Sequence, residues 1–327
     1  MGHAQPLPPS LRDAPFATHR ALAIGVAPGR LRAREVEHPF HGVNTARAPA
    51  GLLERCAAYV ERMLDDQVFS HVTAAALYGM PLPRGAVDGP LHVSVPFPRT
   101  PPRSRGVRGH SVRDIDVREV SGLRVCSPLQ VWLQLAAILP REELVVTADH
   151  IVGARGRDAL ASLSELRRVA LALGSVKGVA SARWAADQTR WGADSRPETL
   201  LRLALVDYGF PEPRVNPAIS LPDGRVVHPD LVFADERVIL EYEGDGHRTD
   251  ADQWMYDIRR HDDMVVARWR VIRVTRRDLF VARDAFMRRL VPVIRPGPRP
   301  GPRPGLGPGL GRGSGPVSRP WTVARVP

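Results

Sequence analysis

The chain has 327 residues, 43% of them hydrophobic and 25% charged, which is enough for two domains with substantial cores and ordinary for a globular protein. No run approaches the ~18–20 apolar residues that cross a bilayer, and the opening MGHAQPLPPS lacks the charged and apolar regions of a signal peptide, so a cytoplasmic protein without membrane contact is expected. The net charge is +11, but Arg295 to Pro327 holds six arginines and no acid; the remainder carries +5, compatible with a nucleic-acid partner without demanding one.

Of the 46 basic residues only Lys177 is a lysine. Cys56 and Cys126 form no CxxC pair and have no histidine at metal-ligand spacing, so both are expected to be buried thiols.

Residues 1–14 are Pro-rich and predicted to be a disordered arm. Residues 15–50 read as a helix-turn-helix of winged-helix type: Thr18 caps a helix to about Ile24, Gly25 stops it, and Pro28 opens a second helix over Gly29 to Arg34. That helix would carry Arg30, Arg32 and Arg34 to DNA, and His38 to Asn44 would be the wing. Residues 51–190 form an α+β region. It has helices over 51–65 and 70–79, the latter capped by Ser70, and a strand over 91–96. An arginine-rich loop follows, holding Arg99, Arg103, Arg105, Arg108 and Arg113. GLRVCSPLQVWLQLAAIL then reads as strand, turn and core helix, and further helices fill 141–187.

A break falls at WGADSRPE, and residues 195–293 form a second domain. Its predicted order is helix 197–208, strands 214–220, 225–233 and 237–243, helix 250–267, strand 269–275 and helix 277–291. Residues 294–327, rich in Pro, Gly and Arg, cannot bury enough apolar surface to order and are predicted to be disordered.

The chemistry sits in VILEYEGDGH, residues 238–247. Strand alternation puts Glu241 and Glu243 on one face with Ile239. If Asp235 and Glu236 form the turn, counting outward sets Asp230 opposite Glu241. Paired strand residues have Cβ atoms ~4.5–5.5 Å apart, and like charges there are destabilising. Three compensations are open: a divalent metal such as Mg²⁺, an arginine, or protonation of one carboxyl. An exposed edge strand with two solvated acids is the alternative, but LVF and VIL around the pair favour a central hairpin. Glu198, in the first turn of its helix, could supply a further carboxylate. His247 could donate a proton or hold a phosphate. Trp254, Asp257 and Arg260 share a helix side, and Arg273 could turn to the acidic face as a phosphate clamp.

RPETLLRLALVDYGFPEPRVN, HPDLVFADERVILEYEGDGHR and RWRVIRVTRRDL resemble the domain of unknown function 559 found in actinobacterial proteins. That group is similar to very-short-patch-repair endonucleases of the PD-(D/E)xK superfamily, in which acids on a helix and two strands bind Mg²⁺ for phosphodiester hydrolysis. The resemblance implies an α/β fold with a restriction-endonuclease-like C-terminal domain, a mixed central sheet flanked by helices. It implies Glu198, Pro229-Asp230 and Glu241 as the matching residues, Asp230, Glu241 and Glu243 as metal ligands, and Mg²⁺ or Mn²⁺ as cofactor. Glu243 stands where the superfamily has its water-orienting Lys. No cysteine lies in this domain to build the zinc site of some repair relatives.

FSHVTAAALYGMPLP, LHVSVP and GLRVCSPLQVWLQLA, with residues 16–45, are similar to AbiEi-type antitoxins and transcriptional regulators. This implies a mostly helical N-terminal region of winged-helix type, binding DNA and a toxin or other protein partner. The combined expectation is a Mg²⁺-dependent DNA endonuclease of repair or defence, with Arg30, Arg32, Arg34, Arg260 and Arg273 on DNA and Glu198, Asp230, Glu241, Glu243 and His247 at the reaction. The alternative is a non-enzymatic antitoxin or regulator with an inactive nuclease-like domain.

Overall fold

A computed structural model describes residues 6–244, 259–260 and 262–296. His247, Trp254, Asp257, most of the predicted helix over 250–267 and the predicted disordered tail beyond residue 296 lie outside the described residues. The protein is a mixed α/β chain that divides into two compact units, Met1–Leu203 and Ala204–Pro327. Among the described residues no helix is long and apolar enough to cross a membrane.

The first unit begins with β1 (Phe16–Ala17), α1 (Thr18–Ala23), α2 (Pro28–Leu31), β2 (Glu37–Phe40) and β3 (Val43–Thr45). The three strands make an antiparallel sheet in the order β1-β3-β2, with the β2–β3 hairpin where a wing is predicted. Described residues of the expected disordered arm are instead anchored. Pro9–Leu11 forms a 3-10 turn, and Leu7 and Leu11 bury against Phe16, Ala21, Val26, Leu31 and Val36. The Thr18 hydroxyl does not cap α1 but accepts a hydrogen bond from Asn44 Nδ2 at 3.0 Å. Gly25, at φ 84°, ends that helix as its sequence predicts. The second helix is a single turn that stops before Arg32, so it is shorter than the Gly29–Arg34 expectation.

The rest of the unit is α+β as expected, its helices built on a six-stranded mixed sheet. After α3 (Leu52–Val60) come β4 (Val68–Phe69), α4 (His71–Leu77), β5 (Leu91–Pro96), β6 (Arg103–Ser104), β7 (Val107–Val112), β8 (Val117–Val120) and β9 (Leu123–Cys126). The sheet order is β6-β7-β5-β4-β9-β8, with β5–β7 and β4–β9 parallel. The arginine-rich segment predicted as a loop therefore supplies two strands. Of its two glycines, Gly109 is a packing requirement rather than a loop signal: a Cβ there would lie 2.8 Å from both Pro101 Cβ and Pro102 Cδ. Gly109→Ala is expected to destabilise by about 1–3 kcal/mol through overpacking, read as a lowered thermal midpoint.

Helices α5 (Pro128–Leu135), α6 (Arg141–Val152), α7 (Leu163–Ala172) and α8 (Val179–Gln188) complete the core. Trp132, Leu135, Leu144 and Ile151 are fully buried there with Tyr59, Phe69 and Leu91. Both cysteines are buried in this core as predicted, and burial raises their thiols to about 12 for Cys56 and about 11 for Cys126. Lys177 stands exposed in the turn that leads into α8.

The boundary differs from the predicted break at WGADSRPE, because the first half of α9 (Arg196–Tyr208) is bound to the first unit by charge. Arg196 Nε donates to Glu143 Oε2 at 2.8 Å. Six residues further along both helices, the fully buried Arg202 pairs with Asp149 at 3.3 Å. Asp149 also accepts from Thr199 Oγ1 at 2.8 Å and from the Arg190 N–H at 2.7 Å.

In the second unit, β10 (Arg214–Val215), β13 (Leu231–Phe233), β14 (Val238–Glu243) and β15 (Arg270–Thr275) form a sheet in that order. The short hairpin β11 (Ile219–Ser220) and β12 (Val226–Val227) stands as a separate sheet. The predicted strands 214–220 and 225–233 are thus each split between two sheets, the first around Asn216 (φ 44°) and Pro217. β13 and β14 are antiparallel with Phe233 opposite Val238 and Leu231 opposite Leu240, while β15 runs parallel to β14. The predicted C-terminal helix is two, α10 (Arg276–Phe280) and α11 (Arg283–Leu290); Thr275 and Asp278 make a reciprocal capping box at the first.

Candidate functional site

The hairpin register is the one counted from the sequence. Asp230 lies one position beyond the Leu231–Leu240 pair, opposite Glu241. The Asp230 carboxylate turns onto the backbone, where Oδ2 accepts the Tyr242 N–H at 2.8 Å. Glu241 and Glu243 share their face with Ile239, which packs with Val232, Leu221, Val227 and Met264. On that face the apolar half is covered by Met264. Arg260, four residues earlier and therefore on the same side of a helix, reaches the acidic half.

Arginine provides the compensation that the sequence leaves open. Arg260 Nη2 donates to Glu241 Oε1 at 2.6 Å and to the His228 carbonyl at 3.4 Å. Arg273, in parallel register with Glu241, pairs with Glu243 at 2.8 Å. The Arg273–Glu243 pair is about half exposed and adds little stability. The Arg260–Glu241 pair is largely buried, and Arg260 Nε there has no hydrogen-bond partner among the described residues. A guanidinium N–H left over beside acids has capacity for another oxygen acceptor.

Three carboxylates against two guanidiniums leave this face with one net negative charge, and its described donors are oxygens. Oxygen donors are the kind a hard divalent cation such as Mg²⁺ or Mn²⁺ takes, but among the described residues Asp230, Glu241 and Glu243 do not converge as a metal-ligand group: Asp230 is turned to the Tyr242 N–H and both glutamates to arginines.

Glu198 belongs to the first unit, whereas Asp230, Glu241 and Glu243 belong to the second. Glu198 is buried at the start of α9, and its Oε2 accepts the Asp194 N–H at 3.0 Å. Of the five arginines expected on DNA, three lie in the first unit, and of these Arg32 and Arg34 are exposed. Arg30 is less available, its guanidinium paired with Glu35 at 3.1 Å.

A second constellation has no sequence signature. His71, His92 and His110 come from the start of α4, from β5 and from β7, and their ligand nitrogens all lie within 4.8 Å of one another. His71 is held in the left-handed region at φ 50°. Its N–H donates to Gln134 Oε1 at 2.9 Å, and its Nδ1 meets Ser70 Oγ at 2.9 Å. Ser70 thus sits at the predicted N-cap, yet its hydroxyl serves the imidazole instead of the helix. The His92 N–H donates to Thr73 Oγ1 at 2.8 Å, and His92 Nδ1 and His110 Nε2 share a hydrogen bond of 3.0 Å. The His71 and His110 rings stack at 3.7 Å.

Burial is the first cause of depressed pKa values for all three; neighbouring imidazoles reinforce it at His71 and His92, and the Arg108 charge at all three. His71 falls to about 2, and His92 and His110 to about 4. All three rings are therefore neutral at pH 7. The only sequence hint was position: His92 and Ser94 occupy the alternate face of LHVSVP, which a half-exposed strand would give to solvent. Here both are buried.

Two uncharacterized proteins of Mycobacterium tuberculosis are similar to this chain, MT2308 of strain CDC 1551 / Oshkosh and Rv2248 of strain ATCC 25618 / H37Rv. Each is 28% identical over 204 residues, covering 62% of this chain and 72% of the relative. No family model matches the chain. No solved structure matches it either.

Proposed function

We propose that the protein acts on DNA and that its second unit is a divalent-metal-dependent endonuclease of restriction-endonuclease type. The observation that carries this reading is the face on which Asp230 and Glu241 oppose each other with Arg260 and Arg273 beside them. Carboxylate oxygens suit a hard cation, and guanidiniums suit phosphate oxygens, bidentately where geometry allows. Asp230 and Glu241 would hold Mg²⁺ or Mn²⁺, with Glu243 as a further oxygen donor. When bound, the ion supplies Lewis-acid polarisation of the phosphodiester and a lowered pKa for water. Arg260 and Arg273 orient the phosphate and offset its charge. His247 is an assisting group in this reading, and Arg32 and Arg34, with Arg30, contact the DNA backbone from the first unit.

The arginine pairs also favour a second reading, a DNA-binding regulator or antitoxin with a toxin or other protein partner and no cleavage activity. Arg260 and Arg273 already neutralise Glu241 and Glu243, and Glu243 replaces the lysine that would orient water.

Supercoiled plasmid incubated with the protein and Mg²⁺ or Mn²⁺ separates them. The endonuclease reading expects nicking or linearisation that falls at least tenfold, about 1.4 kcal/mol, in Asp230→Asn and in Glu241→Gln. Cleavage unchanged in both variants removes it. Absence of cleavage by the wild-type protein, together with DNA binding that Arg32→Ala/Arg34→Ala weakens, leaves the regulator.

A further inference from the structure

We infer that His71, His92 and His110 form a binding site for a divalent transition metal of the Zn²⁺ class in the first unit, chemically distinct from the oxygen-rich face of the second. The nitrogens already lie within 4.8 Å of one another. Zn–N bonds of ~2.0–2.1 Å in a tetrahedral arrangement place ligand nitrogens roughly 3.4 Å apart, so modest ring rotation closes the triangle.

Each histidine is positioned by backbone that cannot drift. β5 and β7 are paired in parallel register with Ser94 beside His110, which puts His92, Ser94 and His110 on one face of the sheet. His71 enters that face from a left-handed residue whose N–H is fixed by Gln134. Ser70 Oγ on His71 Nδ1 is the outer partner that a metal-ligating imidazole commonly has, and it leaves Nε2 as the ligand atom.

Two features argue against a purely space-filling role. Burying polar rings costs free energy that apolar residues of similar size would not cost. And Ser94 Oγ, fully buried on the same face, has no hydrogen-bond partner among the described residues. A fourth ligand position filled by water, or by Ser94 itself, would satisfy it. Imidazole donors take Zn²⁺, Ni²⁺, Co²⁺ or Cu²⁺ and are poor ligands for Mg²⁺, which assigns the metal class.

Binding has structural consequences. The His92–His110 hydrogen bond opens, and the stacked His71 and His110 rings turn apart, because a metal lies in the plane of each imidazole it binds. Arg108, paired with His92 across the strands, carries charge of the same sign as the ion and lowers the affinity.

The test uses full-length protein stripped with chelator and titrated with Co²⁺, whose visible absorption reports a low-symmetry nitrogen site, followed by displacement with Zn²⁺. One equivalent is expected to bind with that spectrum, with at least tenfold weaker binding in His92→Gln and in His110→Gln. His71→Asn, which keeps a residue tolerant of the left-handed region, is expected to lose the same affinity. A wild-type protein with no Co²⁺ spectrum and no rise in thermal midpoint under excess Zn²⁺ overturns the inference, without reliance on any variant folding. So does Co²⁺ binding that survives His92→Gln/His110→Gln, which would move the site to histidines elsewhere in the chain.

Discussion

Asp149→Ala is expected to destabilise the first unit by about 3–5 kcal/mol, the usual cost of leaving one charge of a buried ion pair without its partner. The Arg202 guanidinium is fully buried, and Asp149 is its charged partner across α6 and α9. Burial raises the Asp149 carboxyl to about 6, with Arg202 and the donors from Arg190 and Thr199 pulling it down. Removing the carboxylate also strands the Arg190 N–H and the Thr199 hydroxyl. Hydrogen exchange measured over residues 141–152 reads the loss locally, as amide exchange faster by roughly 100-fold to several thousand-fold. The double replacement Asp149→Leu/Arg202→Met is expected to cost less than Asp149→Ala alone, since no charge is left buried. Equal or greater loss in the double variant would mean that the pair contributes net attraction rather than avoided desolvation.

Acid is expected to weaken the same unit through the histidine cluster, in metal-free protein. The folded pKa values of about 4, 4 and 2 lie below the ordinary 6.5, so the unfolded chain takes up protons first as pH falls. Stability from this source is full above about pH 6.5 and declines as pH drops towards 4. At pH 5 the loss is on the order of 2 kcal/mol per histidine, and on the order of 4–6 kcal/mol for the cluster. Urea midpoints at pH 7.5 and pH 5 measure it, comparing wild type with the triple replacement His71→Asn/His92→Gln/His110→Gln. Asp149 titrates nearby with the opposite sign, its raised carboxyl favouring the folded state as pH falls, but it is present in both proteins and cancels. A pH dependence identical in the two proteins would show that the imidazoles are not held neutral by burial.

The parts of the molecule legible in the sequence are those governed by local rules. Asp235-Glu236 marks a tight turn, strand alternation does the rest, and Asp230 falls opposite Glu241 as counted. Gly25, and the strand and helix of GLRVCSPLQVWLQLA, were readable for the same reason. What failed depends on partners distant in the chain. Val107–Val112 looked like loop because Arg, Gly and Pro surround it, yet parallel pairing with Leu91–Pro96 makes it a strand and makes Gly109 a point of close approach. The helix 196–208 looked like the start of a new domain, but Glu143 and Asp149, some fifty residues earlier, hold its first half. At the acidic face the need for a positive group was clear from two glutamates on one side of a strand. Its identity was not, since Arg260 reaches Glu241 from a separate helix. The histidines at 71, 92 and 110 have no shared spacing and become a cluster only when the sheet order is known.

The exposed turn before α8 carries the sole lysine of the 327 residues. The arginines that make up the rest of the basic residues are positive at every accessible pH and inert towards acylating reagents, so the Lys177 ε-amine is the one side-chain target for amine-directed coupling. A fluorophore or a surface tether introduced by that chemistry joins the fold at that one side chain, the α-amino end of the chain being the other amine it can reach. Any cellular acylation of lysine side chains would be confined to the same turn.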